Sequence, residues 1–136
     1  MLGAASVIVD AAGRVLLVKH SYGELNWELP GGGGEARESA EETARREARE
    51  EVGIQLDIER LTGVYWEPPN AHHFVFGARA RGEPRVADPA EIDELGWFSP
   101  NALPRPISDF TIRRITDALG DGPAGVWTIG PRVWLR

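Results

Sequence analysis

The chain has 136 residues, no cysteine, and a net charge of −6 from 21 acidic and 15 basic side chains. That length supports one domain with a real core, while the lack of cysteine excludes a disulfide scaffold, a thiol nucleophile and a zinc-thiolate site. The acidic balance argues against broad nucleic-acid binding, which needs a basic surface to displace counterions.

The opening MLGAASVIVDAAG has no basic n-region, and its apolar run is too short for a signal peptide or a membrane span. A soluble cytoplasmic protein with a small-molecule partner, monomeric or homodimeric, is expected. Ala4 to Val9 and Val15 to Val18 are short apolar runs around the turn Ala11-Ala12-Gly13, and they predict a hairpin. Trp27-Glu28-Leu29 predicts a brief strand that stops at Pro30 and delivers the chain into four glycines, Gly31 to Gly34. Trp27 is expected in the core; Tyr22 is a candidate to stack on a base.

A helix is predicted next. Ser39-Ala40-Glu41-Glu42 is a capping box, with the Ser39 hydroxyl and the Glu42 carboxylate each satisfying an amide of the first turn. Ala40, Ala44, Ala48 and Val52 recur every four residues, a narrow stripe of mostly small side chains that lets the helix lie close on another element. Gly53 supplies a left-handed stop. Between Glu35 and Glu51 lie seven acidic residues against four arginines. Glu47, Glu50 and Glu51, spaced i, i+3 and i+4, are expected to converge on one patch. Near a helix C-terminus each such carboxylate is disfavoured by roughly 0.3–1 kcal/mol. The predicted ion pairs Glu41–Arg45 and Glu42–Arg46 lie a turn earlier and leave that patch unneutralised. Oxygen ligands on a rigid helix beside a glycine-rich segment suit a hard divalent cation, with Mg²⁺ or Mn²⁺ fitting best.

Beyond the helix, Leu56 to Trp66 and Phe74 to Ala80 predict strands separated by the loop Glu67-Pro68-Pro69-Asn70-Ala71-His72-His73, of a kind that carries specificity. Phe110 to Leu119 predicts an amphipathic helix with Phe110, Ile112, Ile115 and Leu119 facing the sheet and Gly120 ending it. The closing GVWTIGPRVWLR predicts a hairpin or an added sheet edge around Gly130-Pro131. Trp127 and Trp134 there are expected to cover sheet edges. The order of elements predicts an α/β (α+β) architecture, a mixed sheet between helices.

Gly32, Glu38, Arg46-Glu47-Ala48, Glu50-Glu51 and Gly53-Ile54 agree in type and spacing, nine positions across 23 residues, with a signature that resembles that of the Nudix hydrolases. Ala48 is smaller than the aliphatic residue usual there. The resemblance implies a Nudix fold over residues 1–136 and metal-dependent hydrolysis of a pyrophosphate bond in a nucleoside diphosphate linked to another group. Carried over, it makes Gly31, Glu47, Glu50 and Glu51 metal ligands, Glu47 or Glu94 the base, with Glu91 and Asp93 as competitors, and Arg46 the residue that orients Glu47. Gly32, Glu38 and Gly53 become structural. Pro69, fifteen residues beyond Ile54, resembles a mark of the ADP-ribose pyrophosphatase branch. ADP-ribose or a nucleotide sugar therefore ranks first as substrate and a nucleoside triphosphate, including oxidised forms, second, with Tyr22, Trp66, Pro69 and His72 as substrate contacts. A non-catalytic nucleotide-sensing module is the alternative from another class.

Overall fold

The run Val15-Leu16-Leu17-Val18 is apolar at every position because both of its faces are buried. Val15 and Leu17 pack into one core cluster with Val7, Trp27, Tyr65 and Phe110, while Leu16 and Val18 pack into another with Ile8, Ala48, Val52 and Ile54. A strand covered on both sides reads as a continuous apolar run, whereas a half-exposed strand alternates.

The computed structural model describes residues 1–136. In chain order it contains β1 (Leu2–Ile8), β2 (Val15–His20), β3 (Trp27–Glu28), β4 (Gly31–Gly33), α1 (Ala40–Val52), β5 (Gln55–Glu67), β6 (Ala71–Arg81), β7 (Ile92–Phe98), β8 (Ile107–Ser108), α2 (Asp109–Leu119), β9 (Gly125–Thr128) and β10 (Trp134–Leu135). The strands form two five-stranded sheets, ordered β4-β1-β6-β5-β9 and β10-β8-β3-β2-β7. Each mixes parallel and antiparallel pairs. The α+β class is as expected, but two sheets replace the single one.

The predicted β1–β2 hairpin does not form. Both edges of β1 are occupied, by β4 and by β6, so β2 enters the other sheet and only the bridge Val9–Val15 joins the two segments. Of the two outcomes expected for the C-terminal segment, the added sheet edge forms and the hairpin does not: β9 runs parallel to β5 at one sheet edge and β10 antiparallel to β8 at an edge of the other. Trp127 is 46 % exposed and lies under the Arg113 guanidinium, 5.0 Å from the ring centroid. No helix is long and apolar enough to cross a membrane.

Helix α1 follows its local chemistry. Both halves of the capping box are made, with Ser39 Oγ accepting from the Glu42 amide and Glu42 Oε1 accepting from the Ser39 amide. Gly53 stops the helix at φ 67°, and its amide donates to the Arg49 carbonyl. Ala44, Ala48 and Val52 are buried, so the small-residue stripe seats the helix closely. The predicted face of α2 is revised: Phe110, Thr111, Arg114 and Ile115 are buried, whereas Leu119 is 40 % exposed.

Candidate active site

The glycine run is not a loop. Gly31, Gly32 and Gly33 pair antiparallel with Ala5, Ala4 and Gly3, and their backbones pass so close to neighbours that side chains are excluded. A Cβ on Gly31 would lie 2.5 Å from the Ala4 carbonyl oxygen, and one on Gly32 would lie 2.7 Å from the Glu47 carboxyl carbon. The strand is thereby pressed between β1 and the acidic face of α1.

On that face Arg46 is the hub. Its Nε and Nη2 donate to Glu38, its Nη1 donates to Glu47 Oε1 at 2.8 Å and to Glu50 Oε2 at 3.1 Å, and Nη2 also reaches the Gly33 carbonyl. Planar, fixed donors suit one guanidinium to several carboxylates. The expected Glu41–Arg45 pair forms at 3.2 Å. The expected Glu42–Arg46 pair does not, because Glu42 is held in the capping box and Arg46 turns to the acids at the helix end.

Glu38 accepts from the Glu35 amide and the Thr43 hydroxyl as well as from Arg46, so it ties the segment after the glycines to the helix. Its hydrogen bond to Arg46 is the chief reason its carboxyl is pulled down to about 2. Glu51 is 4 % exposed and accepts from the Gly31 amide at 3.1 Å. Burial pushes Glu51 up to about 9; the Gly31 hydrogen bond opposes this, and the charges of Glu47, Glu91 and Glu28 add to it. Glu47 is also raised, by burial first, against the pull of Arg46 and with Glu50 and Glu91 reinforcing it.

The three signature glutamates therefore do not converge as the helical spacing suggests: Glu47 and Glu50 turn to Arg46 while Glu51 turns to Gly31. No three acidic or histidine side chains are gathered closely enough to enclose a cation. The donor set nevertheless fits a hard divalent ion. Glu47 and Glu51 are burdened by burial and mutual repulsion, and nearby positive charge relieves both. Among the late acids, Glu91 acts on both Glu47 and Glu51. Glu94, the residue favoured from sequence, is exposed and pairs in register with Lys19.

Beyond the other face of the glycine strand lies a cavity of about 300 Å³. Its walls include Gly31 to Gly33, Tyr22, His20, Glu28, His73 and Arg132. Tyr22, expected to meet substrate, is 52 % exposed there and stacks on His20 with ring centroids 4.7 Å apart. The other sequence candidates fall elsewhere. Trp66 and His72 are cross-strand partners that stack on each other at 4.6 Å, outside the cavity wall. Pro69 lies exposed in the turn before β6. Because side chains alternate along a strand, it is His73, one residue beyond His72, that faces the cavity. His73 bonds Glu67 Oε1 at 3.0 Å, and burial pushes its imidazole below the usual range, so it is mostly neutral at pH 7.

The cavity floor holds charged groups absent from the sequence reading. Glu28 Oε1 accepts from the Leu29 amide, the Thr111 hydroxyl and Arg114 Nη2, the last at 2.6 Å. Burial opposes ionisation of Glu28, but Arg114, these hydrogen bonds and Arg132 together hold it below the ordinary carboxylate range. Arg114, 4 % exposed, lies over the Phe110 ring at 4.0 Å and stays charged, as guanidinium groups do. Two signals in the sequence could have found this pair: a carboxylate between Trp27 and Leu29, and an arginine four residues after Phe110 on the apolar stripe of a helix.

Residues 1–119 match the family model for the NUDIX domain. A Bacillus subtilis (strain 168) protein whose name provisionally assigns it 8-oxo-dGTP diphosphatase activity is 37 % identical over 118 residues, covering 79 % of this chain and 78 % of the relative. The crystal structure of a MutT NUDIX hydrolase from Burkholderia pseudomallei superposes with a TM-score of 0.76 at 33 % identity, covering 85 % of this chain and 95 % of that one. An ADP-ribose pyrophosphatase structure from Streptococcus suis shares the fold, with a TM-score of 0.75 at 20 % identity and coverage of 93 % and 97 %. The fold and the carboxylate helix are those of a hydrolase of pyrophosphate bonds in nucleotide-containing substrates. The chain belongs to the Nudix hydrolase family.

Proposed function

We propose that this Nudix hydrolase is a Mg²⁺- or Mn²⁺-dependent nucleoside triphosphate pyrophosphohydrolase, with the nucleoside in the cavity and the phosphates running over β4 to the acidic end of α1. The observation that carries this reading is the position of the Gly31–Gly33 strand. One of its sides abuts Glu47 and Glu51, and the other lines the cavity. A cavity near 300 Å³ is at the small end of the range of roughly 300–1,000 Å³ typical of ligand sites, which suits one nucleoside. The B. subtilis relative's name supports the same class.

Glu47, Glu50, Glu51 and the Gly31 carbonyl would hold the metal. A bound divalent ion supplies neutralisation of phosphate charge and a more acidic water. Arg46 fixes the Glu47 carboxylate through a charge-assisted hydrogen bond. Glu47, half-buried beside Arg46, serves either as a ligand of that ion or as the carboxylate that receives a proton as the water oxygen bonds to phosphorus and the bridging P–O bond breaks. Glu91 is the late acid placed to assist, in preference to Glu94. The exposed Asn70 at the cavity wall favours a second reading, in which a sugar linked to the diphosphate extends past the rim, as in ADP-ribose or a nucleotide sugar.

The test is turnover of nucleoside triphosphates, ADP-ribose and nucleotide sugars with Mg²⁺ or Mn²⁺, with product analysis and Glu51→Gln alongside. Release of nucleoside monophosphate, lost in the variant, is expected. Faster turnover of ADP-ribose would overturn the first reading in favour of the second, and undiminished turnover by Glu51→Gln would overturn the metal assignment.

A further inference from the structure

The last seventeen residues lie beyond the stretch matched by the family model, which ends at 119, yet they supply a wall of the cavity. Arg132 enters it between two carboxylates, with Nε 3.6 Å from Glu67 Oε2 and Nη1 3.9 Å from Glu28 Oε2. Neither distance is a hydrogen bond. Arg132 Nε is buried without any partner, and no other atom of that guanidinium donates within the chain. Glu67 and Glu28 balance its charge and the Phe110 ring lies 5.3 Å from it, but they leave its Nη donors at the cavity wall without hydrogen-bond acceptors, open to an acceptor from outside the chain.

Glu28 presents the complement. Its Oε1 is saturated by three donors, while its Oε2 accepts no hydrogen bond and faces Arg132. The local charges balance, with Glu28 and Glu67 against Arg114 and Arg132 and with His73 mostly neutral. A phosphate here would be repelled by two carboxylates as much as it is drawn by two guanidinium groups. The site suits an uncharged heterocycle.

We propose that Glu28 and Arg132 read the edge of a 6-oxopurine, Glu28 Oε2 accepting from the ring N1–H and the Arg132 fork donating to O6 and N7. One free acceptor beside a fork of unused donors matches an edge of one donor followed by two acceptors. Guanine and hypoxanthine present that edge, whereas adenine alternates acceptor, donor, acceptor. Tyr22 at the mouth offers a ring on which such a base stacks. Arg132 is a specificity residue that takes no part in bond cleavage. This assignment rests on the cavity's being the nucleoside site, as proposed above.

The experiment is calorimetric titration with GMP, IMP and AMP, alongside kinetics with dGTP, dITP and dATP. GMP and IMP are expected to bind within about threefold of each other, since the 2-amino group is not read, and at least about tenfold more tightly than AMP. Arg132→Gln should bring the guanine-to-adenine ratio towards one through KM, with kcat kept, and Arg132→Lys should restore part of it. Circular dichroism and melting temperature establish that the variants are folded. Equal binding of GMP and AMP, no binding of any of the three, or a loss of kcat with the ratio intact would each overturn the assignment. Base preference in binding without hydrolysis of any nucleotide would instead overturn the enzymatic reading and leave this one standing.

Discussion

Gly32 and Glu47 occupy one another's space: a methyl group on Gly32 would lie 2.7 Å from the carboxyl carbon of Glu47 and within 2.9 Å of both its oxygens. The obstacle is the far end of a flexible side chain, which can swing away. Gly32→Ala is therefore expected to fold with a loss of about 1 kcal/mol or less while displacing Glu47 from Arg46. Activity should fall through kcat. At Gly31 the obstacles are the Ala4 carbonyl and the Ala5 Cα, which move only with the sheet. Gly31→Ala should cost about 1–3 kcal/mol. Denaturant melts and kinetics on the two variants check the contrast, which fails if Gly32→Ala keeps full kcat.

Burial ties the protonation of Glu51 to stability. In the folded, metal-free chain burial pushes its carboxyl up to about 9, whereas in the unfolded chain it ionises near the ordinary value of about 4.3. Between those limits the folded state holds a proton that the unfolded state has released. Stability must therefore fall as pH rises through that window, by at most about 1.4 kcal/mol per pH unit for one proton. Glu51→Gln keeps an acceptor for the Gly31 amide but does not titrate. Melting in a chelator from pH 5 to 9 should show the wild type losing stability relative to Glu51→Gln, and parallel curves would contradict this.

The opposite sign holds at Glu38. Its hydrogen bond to Arg46, with those from the Glu35 amide and Thr43, lowers it to about 2. Its contribution is present above the ordinary carboxylate range and lost as pH falls towards 2. Glu38→Gln should lower the melting temperature at neutral pH and erase part of the acid sensitivity. It should also reduce activity, since Arg46 loses one of the partners that orient it towards Glu47. An unchanged acid-unfolding midpoint would count against the assignment.

Much of the carboxylate half of the site was legible because it is local. A capping box, a stripe at four-residue spacing and a left-handed glycine are each contained in one helix, and they define where the acids stand. What they leave open is where each acid turns. The turn of Glu47 and Glu50 to Arg46, and of Glu51 to Gly31, depends on β4, a strand that four successive glycines do not announce. The cavity beside it was hidden for a related reason. Glu28, His73, Arg114 and Arg132 come from β3, β6, α2 and the segment before β10, and no periodicity joins them. His73 lines the cavity and His72 does not, because one residue along a strand reverses the face. The β1–β2 hairpin failed because β6, more than sixty residues later, takes the edge of β1.

The buried Glu28–Arg114 pair supports the cavity floor, and its energetics depend on leaving neither partner alone. Arg114→Leu should destabilise the protein by about 3–5 kcal/mol, because Glu28 remains buried without its nearest cation. Glu28→Leu should cost a similar amount by stranding Arg114. The double variant removes both charges and fills the space with apolar volume, so it should be markedly more stable than the sum of the single losses predicts. Yet it should bind nucleotide poorly, since Glu28 Oε2 is gone from the cavity. A denaturation cycle over the four proteins, with nucleotide titrations on those that fold, separates the two roles. Additive losses would mean that the 2.6 Å contact carries little coupling, and undiminished nucleotide binding by the double variant would remove Glu28 from the recognition surface.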